Sequence, residues 1–403
     1  MVRRWFTWER LILWVAGLHL VFLGLWLVSR VALGAGEGDW VFLRDMGRRF
    51  LDGDWDGIYL TDHDGYYWRF PPYGLYPAAV LALLPQTAAY WVKAAVEAAA
   101  TVIGFLLLKA VLPGMRNVGA ALFVVIGSAA FATNVYAGQN AGTLLVLTAL
   151  GLWAAERHSR TAGFAAWGLL ALKPNIGIGF GLLALVRRRS REIGAIAGVA
   201  LLVVATSLPL WRLWDDFVRS VFRAEEIREG YAAAKQVTLL GFLDGTVVPT
   251  DWAIAVWAVL ALGLTAVAVR VWVSGVPFVR KAGSAVLLVI AANPYLSFYD
   301  ALLLAVPGLV WWGTSGSYRS RRVWGVIGGC LAVVWFDQHV SLSYLQVVDV
   351  AEPHLFATDL APFSLVGPAV AVWLVLEMID ARSTAARSNA AAVSAGRSAR
   401  RAG

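Results

Sequence analysis

Long apolar runs separated by short polar segments dominate this sequence. Ten runs are long enough, or nearly so, to cross a bilayer as helices, since about 30 Å of hydrocarbon needs about 20 residues at 1.5 Å each. They occupy residues 11–33, 88–112, 117–136, 141–155, 193–211, 251–273, 282–296, 300–313, 323–336 and 363–379. The pattern predicts an all-α integral membrane protein.

Two further segments, both in the predicted first outer loop (34–87), are predicted to lie in the membrane interface. Residues 73–84 are apolar, but as a helix they span only about 18 Å, and prolines bracket them. Residues 40–50 place apolar side chains and arginines on opposite faces of a helix, which is typical of a helix that lies on a bilayer. We therefore predict an interfacial helix pair.

Residues 162–186 could form a single span, but basic clusters flank both ends. Basic clusters favour the cytoplasmic side, and a single span would put one of the two clusters outside. Pro174 breaks a helix, and Lys173 at the centre of a span would cost about 2.5–3.5 kcal/mol. We predict a hairpin of two half-length helices that turns at residues 172–175. The total becomes about twelve transmembrane or half-length helices.

The composition agrees with a membrane protein. Of 403 residues, 59% are hydrophobic and 15% are charged, and the net charge is +8. The basic residues stand in clusters between apolar runs, where they act as topology signals, so nucleic acid is excluded as a partner. We expect a multi-pass protein of the plasma (inner) membrane with both termini cytoplasmic and its polar, chemistry-capable residues facing outside.

The domain organisation is predicted to be simple. Residues 1–380 form one polytopic membrane domain, and residues 381–403, rich in Ala, Ser and Arg, form a disordered basic tail. The tail is expected to rest on anionic membrane lipids.

The first outer loop is acidic, and Asp39 follows the first span directly. Two interpretations of Asp39 remain open: the N-cap of helix 40–50, or a general base at the membrane surface, and a rigid cap could serve as both. The aspartates at 52, 54 and 56 have a spacing that suits a divalent metal, but an Asp/Gly loop is more often a solvated turn. We assign no metal and no other cofactor. Arg69 could pair with a phosphate or snorkel to the headgroups.

Further polar residues interrupt the apolar runs. Gln139 and Asn140 begin a predicted span, where they could bind sugar hydroxyls or cap the helix. Lys173 at a hairpin tip is costly unless an anion visits it, and a lipid phosphate is the natural anion. Asp300 opens another apolar run and suggests a ligand contact. Lys93 and Glu97, spaced i,i+4, are expected to pair with each other.

The order of several short motifs resembles that of polytopic type C glycosyltransferases that use lipid-phosphate sugars, most closely family 87. The motifs are Gly38–Asp39, Phe70–Tyr73, Leu84–Pro85, Gly138–Asn140, Ala162–Gly163, Leu172–Pro174, Arg187–Arg188, Asn293–Tyr295 and Tyr299–Asp300. Each motif alone is common, and their order and spacing over residues 11–310 carry the resemblance.

The resemblance implies a type C glycosyltransferase fold and an inverting transfer of a sugar, commonly mannose, from a polyprenyl phosphate carrier to an acceptor hydroxyl outside. The acceptor would be a glycolipid or glycan. By this analogy Asp39 is the base, and Lys173 and Arg69 hold the phosphate. The expected substrate contacts are Gln139, Asn140, Tyr295, Tyr299 and Asp300. Some members carry a Trp/His motif where this chain has residues 295–299, so no second catalytic histidine is assigned.

Two other functions fit parts of the sequence. A transporter or flippase of a lipid-linked or polar substrate could use Lys173 as a substrate contact, with helix breaks at Pro174 and Pro294. The sequence has no apparent internal repeat, which disfavours an inverted-repeat transporter. A scaffold would explain the hydrophobicity, but it gives no reason for the shared location of the polar clusters.

Overall fold

The computed structural model describes residues 39–59, 70–115, 117–222, 237–244, 250–314 and 366–381, with single helical positions between residues 13 and 24. Within these ranges the chain is helical and contains no strand. The all-α class is confirmed. The type C arrangement, the number of spans and the division into one domain and a tail stay predictions, and residues 382–403 lie outside the described part of the chain.

The helices of the described ranges are numbered here in chain order. They are α1 (Asp39–Asp52), α2 (Leu75–Ala82), α3 (Gln86–Val111), α4 (Val118–Ile126), α5 (Ala129–Ala137), α6 (Ala141–Arg157), α7 (Arg160–Gly168), α8 (Pro174–Arg187), α9 (Ser190–Ala205), α10 (Trp211–Phe222), α11 (Leu239–Asp244), α12 (Thr250–Val273), α13 (Phe278–Ala292), α14 (Ala305–Thr314) and α15 (366–381). Short 3₁₀ segments lie at Pro72–Gly74, Leu169–Leu172, Leu208–Leu210 and Phe298–Leu304.

Several described helices have the length and composition of membrane spans. Helix α3 and residues Trp252–Val273 of α12 are each long and apolar enough to cross alone, and α9 with the segment Leu208–Ser220 forms a candidate span bent by 56°. Large apolar side chains stay exposed on these helices, such as Leu262 at 72%. Lipid-facing helices need no polar coat. The predicted runs 11–33 and 323–336 fall largely or wholly outside the described residues.

Two predicted runs differ from the helices that form. The run 117–136 divides into α4 and α5 at Ser128, whose Oγ accepts the backbone N–H of Phe131 at 3.2 Å and so begins a new helix. The run 193–211 ends early, because α9 stops at Ala205 and the chain bends into α10. A single hydropathy average cannot detect either break.

The predicted hairpin at residues 162–186 is confirmed by the geometry. Helix α7 and the 3₁₀ segment Leu169–Leu172 lead to the break at Lys173, and α8 returns. The guanidinium carbons of Arg160, at the start, and Arg187, at the end, lie 3.9 and 5.2 Å from the centroid of the same Phe278 ring. Both basic clusters therefore stand at one end of the bundle, and Lys173 stands at the other.

Further ion pairs mark that end, which we call the basic end. Arg187 Nε lies 2.6 Å from Glu192 on α9. Arg280 on α13 donates to Glu377 at 3.0 Å and to Asp380 at 2.8 Å, which joins α13 to α15. Partly buried or buried pairs of this kind fix which helices lie together. Of the predicted basic clusters, those represented by Arg160, Arg187 and Arg280 lie together at this end, while the side of the membrane that they face stays a prediction.

A layer of short helices covers the opposite end, called here the tip end. Helices α1, α2 and α10 share an apolar core that includes Met46, Leu75 and Leu213. Helices α1 and α2 approach closely at Gly47, where an added Cβ would lie 2.1 Å from the Ala78 carbonyl oxygen. Two packed helices thus form where the interfacial pair is predicted, and their position in the membrane interface stays a prediction. Helix α10 is a third member of the layer that sequence reasoning missed.

Candidate functional site

The hairpin tip carries a lysine that pairs with the 3₁₀ segment Phe298–Leu304. The Lys173 Nζ lies 2.6 and 2.7 Å from the two carboxylate oxygens of Asp300. The side chains are 16% and 1% exposed, respectively. Pro174 occupies the first turn of α8, so the chain is non-helical at Lys173 and its side chain can leave the helix axis. The predicted phosphate-binding cation therefore has a protein carboxylate as its partner.

Asp300 is held by its own segment as well. Its Oδ2 accepts the backbone N–H of Ser297 at 3.2 Å, and the two residues form a capping box at the start of the 3₁₀ segment. Both carboxylate oxygens therefore have defined partners. Lys173 carries three N–H donors, and Asp300 is the acceptor that the structure shows for them among the described residues, so a ligand anion could take a remaining donor.

Two asparagines join the tip to the turn after α13. Asn175 Nδ2 donates to the carbonyl of Tyr295 at 3.0 Å, and Asn293 Nδ2 donates to the carbonyl of Asn175 at 2.8 Å. Asn293 Oδ1 also accepts the backbone N–H of Tyr295 at 2.8 Å. These reciprocal bonds fix the tip against the turn. Neither asparagine side chain was assigned this part from the sequence, although Asn293 stands in one of the motifs.

Of the two predicted aromatic contacts, Tyr299 lies beside the ion pair, and Tyr295 is joined to the hairpin tip through its backbone carbonyl. Lys173 Nζ stands 5.5 Å from the ring centroid of Tyr299, within range of a cation–π interaction. Tyr299 is 8% exposed, and Tyr295 is partly buried. The structure therefore brings Lys173, Tyr295, Tyr299 and Asp300 together, as the sequence prediction requires of a common site.

Tyr73 reaches the tip from the 3₁₀ segment Pro72–Gly74, which leads into α2 of the layer of short helices. Its hydroxyl donates to the carbonyl oxygen of Ala171, two residues before Lys173. The ring packs against Trp214 of α10, with centroids 6.0 Å apart. Burial raises the pKa of Tyr73 to about 12, because the phenolate would lose its hydration. The phenol is thus a hydrogen-bond donor at every physiological pH.

Asp39 is the first residue of α1, but the position of its side chain lies outside what the structure describes. The next residue, Trp40, packs on Gly138 at the turn between α5 and α6. Gly138 has φ +64°, and an added Cβ would lie 2.4 Å from the Trp40 Cβ. Only glycine combines this backbone conformation with so close an approach. The start of α1 is thereby fixed beside the Gly138–Asn140 motif.

A buried carboxylate lies beneath that motif. Glu97 on α3 is fully buried, and its Oε1 accepts from Lys93 at 2.8 Å and from the Thr143 hydroxyl at 2.7 Å. Its Oε2 accepts from the Thr143 backbone N–H at 3.0 Å and from Asn134 Nδ2 at 3.3 Å. The predicted Lys93–Glu97 pair is confirmed. Its partners on α5 and α6 come from distant sequence positions, and no local signal could have indicated them.

These contacts replace the usual cap of α6. Asn134 Oδ1 accepts the backbone N–H of Ala141 at 2.8 Å, and Glu97 takes that of Thr143, while Asn140, the N-cap residue, makes no side-chain capping bond. The Oδ1 of Asn140 is buried and accepts no hydrogen bond from the described residues. Asn140 therefore occupies the N-cap position, but its side chain does not cap the helix and is left for another partner. Gln139 is partly buried in the same turn.

The Gly138–Asn140 turn and the Lys173–Asp300 pair are connected through packed elements. The 3₁₀ segment Phe298–Leu304, which carries Tyr299 and Asp300, packs against both α5 and α6. The described substrate-binding candidates thus gather at the tip end, where α1 begins. Arg69 and the residues 60–68 lie outside the described part of the chain.

The acidic loop has a simpler arrangement where the structure describes it. Asp54 pairs with Arg49 at 3.0 Å, and Asp52 approaches Arg48 at 3.9 Å. All four side chains are substantially exposed, so these pairs contribute little stability. In the described residues no group of three potential metal ligands is assembled.

The model of glycosyltransferase family 87 matches residues 68–307, which is more than half of the chain. This range contains the hairpin, the α5–α6 turn and the Lys173–Asp300 pair. A search of curated proteins and a search of solved structures each found no match.

Proposed function

The chain belongs to glycosyltransferase family 87 and is a membrane glycosyltransferase, and from this premise we propose that it transfers mannose from a polyprenyl phosphate carrier to a hydroxyl of a glycolipid or glycan. The observation that carries the proposal is the Lys173–Asp300 pair at the hairpin tip. A lysine held inside a bundle suits an anionic, lipid-borne donor.

We propose that the role of Lys173 is to bind the donor phosphate. The ammonium is mostly buried, and its direction is set by Asp300, so little reorganisation is needed when a phosphate arrives. The pair as a whole is neutral, however, and cannot compensate additional charge on the phosphate. We therefore assign Arg69 as the second cation, in agreement with its place beside Phe70–Tyr73.

Asp39 is proposed as the general base. The packing of Trp40 on Gly138 supports this assignment, because it fixes the start of α1 next to Asn140. The buried, unpartnered Oδ1 of Asn140 suits a sugar hydroxyl, which can donate a hydrogen bond to it. Gln139, Tyr295 and Tyr299 are proposed to complete the substrate contacts.

The reaction needs few groups. The acceptor oxygen attacks the anomeric carbon and forms the new glycosidic bond, while the bond from that carbon to the phosphate oxygen breaks. The electron pair of the broken bond leaves with the phosphate, and the acceptor proton passes to the Asp39 carboxylate. Attack opposite to the leaving phosphate inverts the configuration. The protein contributes orientation and charge stabilisation.

We place the site on the outer side of the plasma membrane, with both termini cytoplasmic. The support is the gathering of Arg160, Arg187 and Arg280 at one end, since basic clusters favour the cytoplasm. The tip end, with Lys173, would then face outside, where a lipid-linked donor can be consumed.

Glycan and glycolipid products provide the test. Cells that produce wild-type protein, Asp39→Asn or Asp39→Ala are compared by mass spectrometry with cells that lack the gene. We expect a hexose-extended product with wild-type protein, and none with either variant. Asp45→Asn is the matched control, because Asp45 is an exposed carboxylate on the same helix, and it should leave the product unchanged.

Two results would contradict the proposal. Full product formation by both Asp39 variants would remove Asp39 from the mechanism. Movement of a labelled polyprenyl phosphate across a reconstituted bilayer, without any glycosidic bond formed, would instead identify a flippase.

A further inference from the structure

The hairpin tip has an unusual bonding requirement at Ala171. In a continuing 3₁₀ helix the carbonyl of residue i accepts the N–H of residue i+3. For Ala171 that residue is Pro174, which has no N–H. The missing donor is supplied by Tyr73, whose hydroxyl bonds to the Ala171 carbonyl. One bond thus joins the Phe70–Tyr73 motif to the residue that directly precedes the Leu172–Pro174 motif.

The other anchors of the tip come from a different direction. Asn293 and Tyr295 hold Asn175, and Asp300 holds the Lys173 ammonium. All three belong to the chain that follows α13. Tyr73 is the anchor from the segment that leads into α2. Its hydrogen bond lies on the N-terminal side of Lys173, whereas Asn175 is held on the C-terminal side.

We propose that Tyr73 is a positioning residue, which fixes the backbone immediately before Lys173 so that the ammonium faces the donor phosphate. The inference rests on the proposed function, in which Lys173 binds that phosphate. Without the Tyr73 donor, the Ala171 carbonyl must turn toward another partner, and the peptide planes leading to Lys173 turn with it. A displacement of about 1 Å at a binding group is enough to lose much of its effect.

The surroundings of Tyr73 suit this purpose. The residue is 5% exposed and its ring is packed on Trp214, so the hydroxyl has little freedom to leave the carbonyl. With its pKa raised to about 12 the group stays protonated, and it remains a donor wherever the protein works.

Tyr76 offers a matched control three residues further along. Its hydroxyl also donates to a backbone carbonyl, that of Thr206 at 2.7 Å, and it also belongs to the short-helix layer. The structure shows no hydrogen bond from Tyr76 to the hairpin tip among the described residues, and Tyr76 is 37% exposed. Tyr73→Phe and Tyr76→Phe therefore each remove one hydroxyl-to-carbonyl bond, but only the first lies beside Lys173.

The experiment measures binding by the full chain in lipid nanodiscs. The probes are farnesyl phosphate, farnesol, which lacks the phosphate, and inorganic phosphate, which lacks the lipid. Wild-type protein, Tyr73→Phe, Tyr76→Phe and Lys173→Gln are compared, and thermal unfolding of each is recorded. A fifth protein carries 4-aminophenylalanine at position 73, which restores an N–H donor.

We expect wild-type protein to bind farnesyl phosphate more tightly than farnesol or inorganic phosphate, and Lys173→Gln to lose the preference. Tyr73→Phe should lower the affinity for farnesyl phosphate by about tenfold, the equivalent of one hydrogen bond, and leave the affinity for farnesol unchanged. Tyr76→Phe should bind as wild type, and the amino group should restore affinity.

Other outcomes overturn the inference. If Lys173→Gln loses the preference but Tyr73→Phe binds as wild type, Tyr73 does not position Lys173, and the proposed function stands. If Tyr73→Phe lowers the affinities for farnesyl phosphate and farnesol equally and also lowers the unfolding temperature, Tyr73 has only a general structural role. Absence of any preference in wild-type protein would overturn the phosphate site and, with it, this inference.

Discussion

Lys173 and Asp300, separated by 127 positions in the chain, form a two-oxygen ion pair at the tip of a hairpin inside the helix bundle. Breaking a pair in which one partner is buried leaves an uncompensated charge, whereas removing both partners does not. Stability and catalysis should therefore respond differently to substitution of the two residues.

Asp300→Asn is expected to destabilise the protein by about 3 kcal/mol, because Lys173 loses its neutralising partner. The double variant Lys173→Gln with Asp300→Asn should recover most of that stability and still fail to transfer sugar. Thermal unfolding of the four proteins of this cycle, with product analysis, provides the measurement. Strictly additive losses of stability would contradict a coupled pair.

Gly138→Ala should lower both stability and sugar transfer. The alanine would have to adopt φ +64°, which residues with a Cβ rarely do, and its Cβ would lie 2.4 Å from the Trp40 Cβ. Together the backbone strain and the clash should cost about 2 kcal/mol or more. Gly198→Ala on α9 is the control, since an added Cβ there meets nothing within 4 Å. Unfolding temperature and product yield are measured for both variants. If neither quantity changes in Gly138→Ala, the close packing of Gly138 against Trp40 is refuted.

Glu97→Gln tests the buried carboxylate under α6. The substitution leaves Lys93 without an anion and weakens the bonds to Thr143, so we expect a loss of about 2–3 kcal/mol. Glu156→Gln breaks the pair with Arg160, which has the same i,i+4 spacing at 2.9 Å but is partly exposed. That control should lose less than about 1 kcal/mol. Similar unfolding temperatures for the two variants would contradict the importance of the buried network.

Topology is measurable with single cysteines in a Cys330→Ser background. Cysteines at Thr161 and Ser190, both exposed near the basic end, should react with a membrane-impermeant maleimide from the cytoplasmic side only. A cysteine at the exposed Gln86, at the start of α3, should react from the outside only. Labelling of Thr161 and Ser190 from opposite sides would exclude the hairpin.

Much of the architecture could be predicted from local features of the sequence. Apolar runs mark α3 and α12, prolines bracket α2, and the conflict between two basic clusters, with Lys173 and Pro174 between them, predicts the hairpin. These signals lie within one element or at its ends. Helix α10 was missed because its apolar and charged residues average to a hydropathy near that of a loop, although their alternation is strongly amphipathic.

Partners across the bundle were decided by tertiary structure alone. The sequence singled out Lys173, Asp300, Tyr295 and Tyr299 one by one, but gave no reason for Asp300 rather than a lipid phosphate to contact Lys173. The bonds from Tyr73 to Ala171 and from Asn134 to Glu97 were equally invisible. Hydropathy and charge indicate whether each segment prefers lipid or water. A hydrogen bond between helices depends instead on which helices pack together and in what register. Solvent preference is fixed residue by residue along the chain, and register is fixed only when every helix has packed.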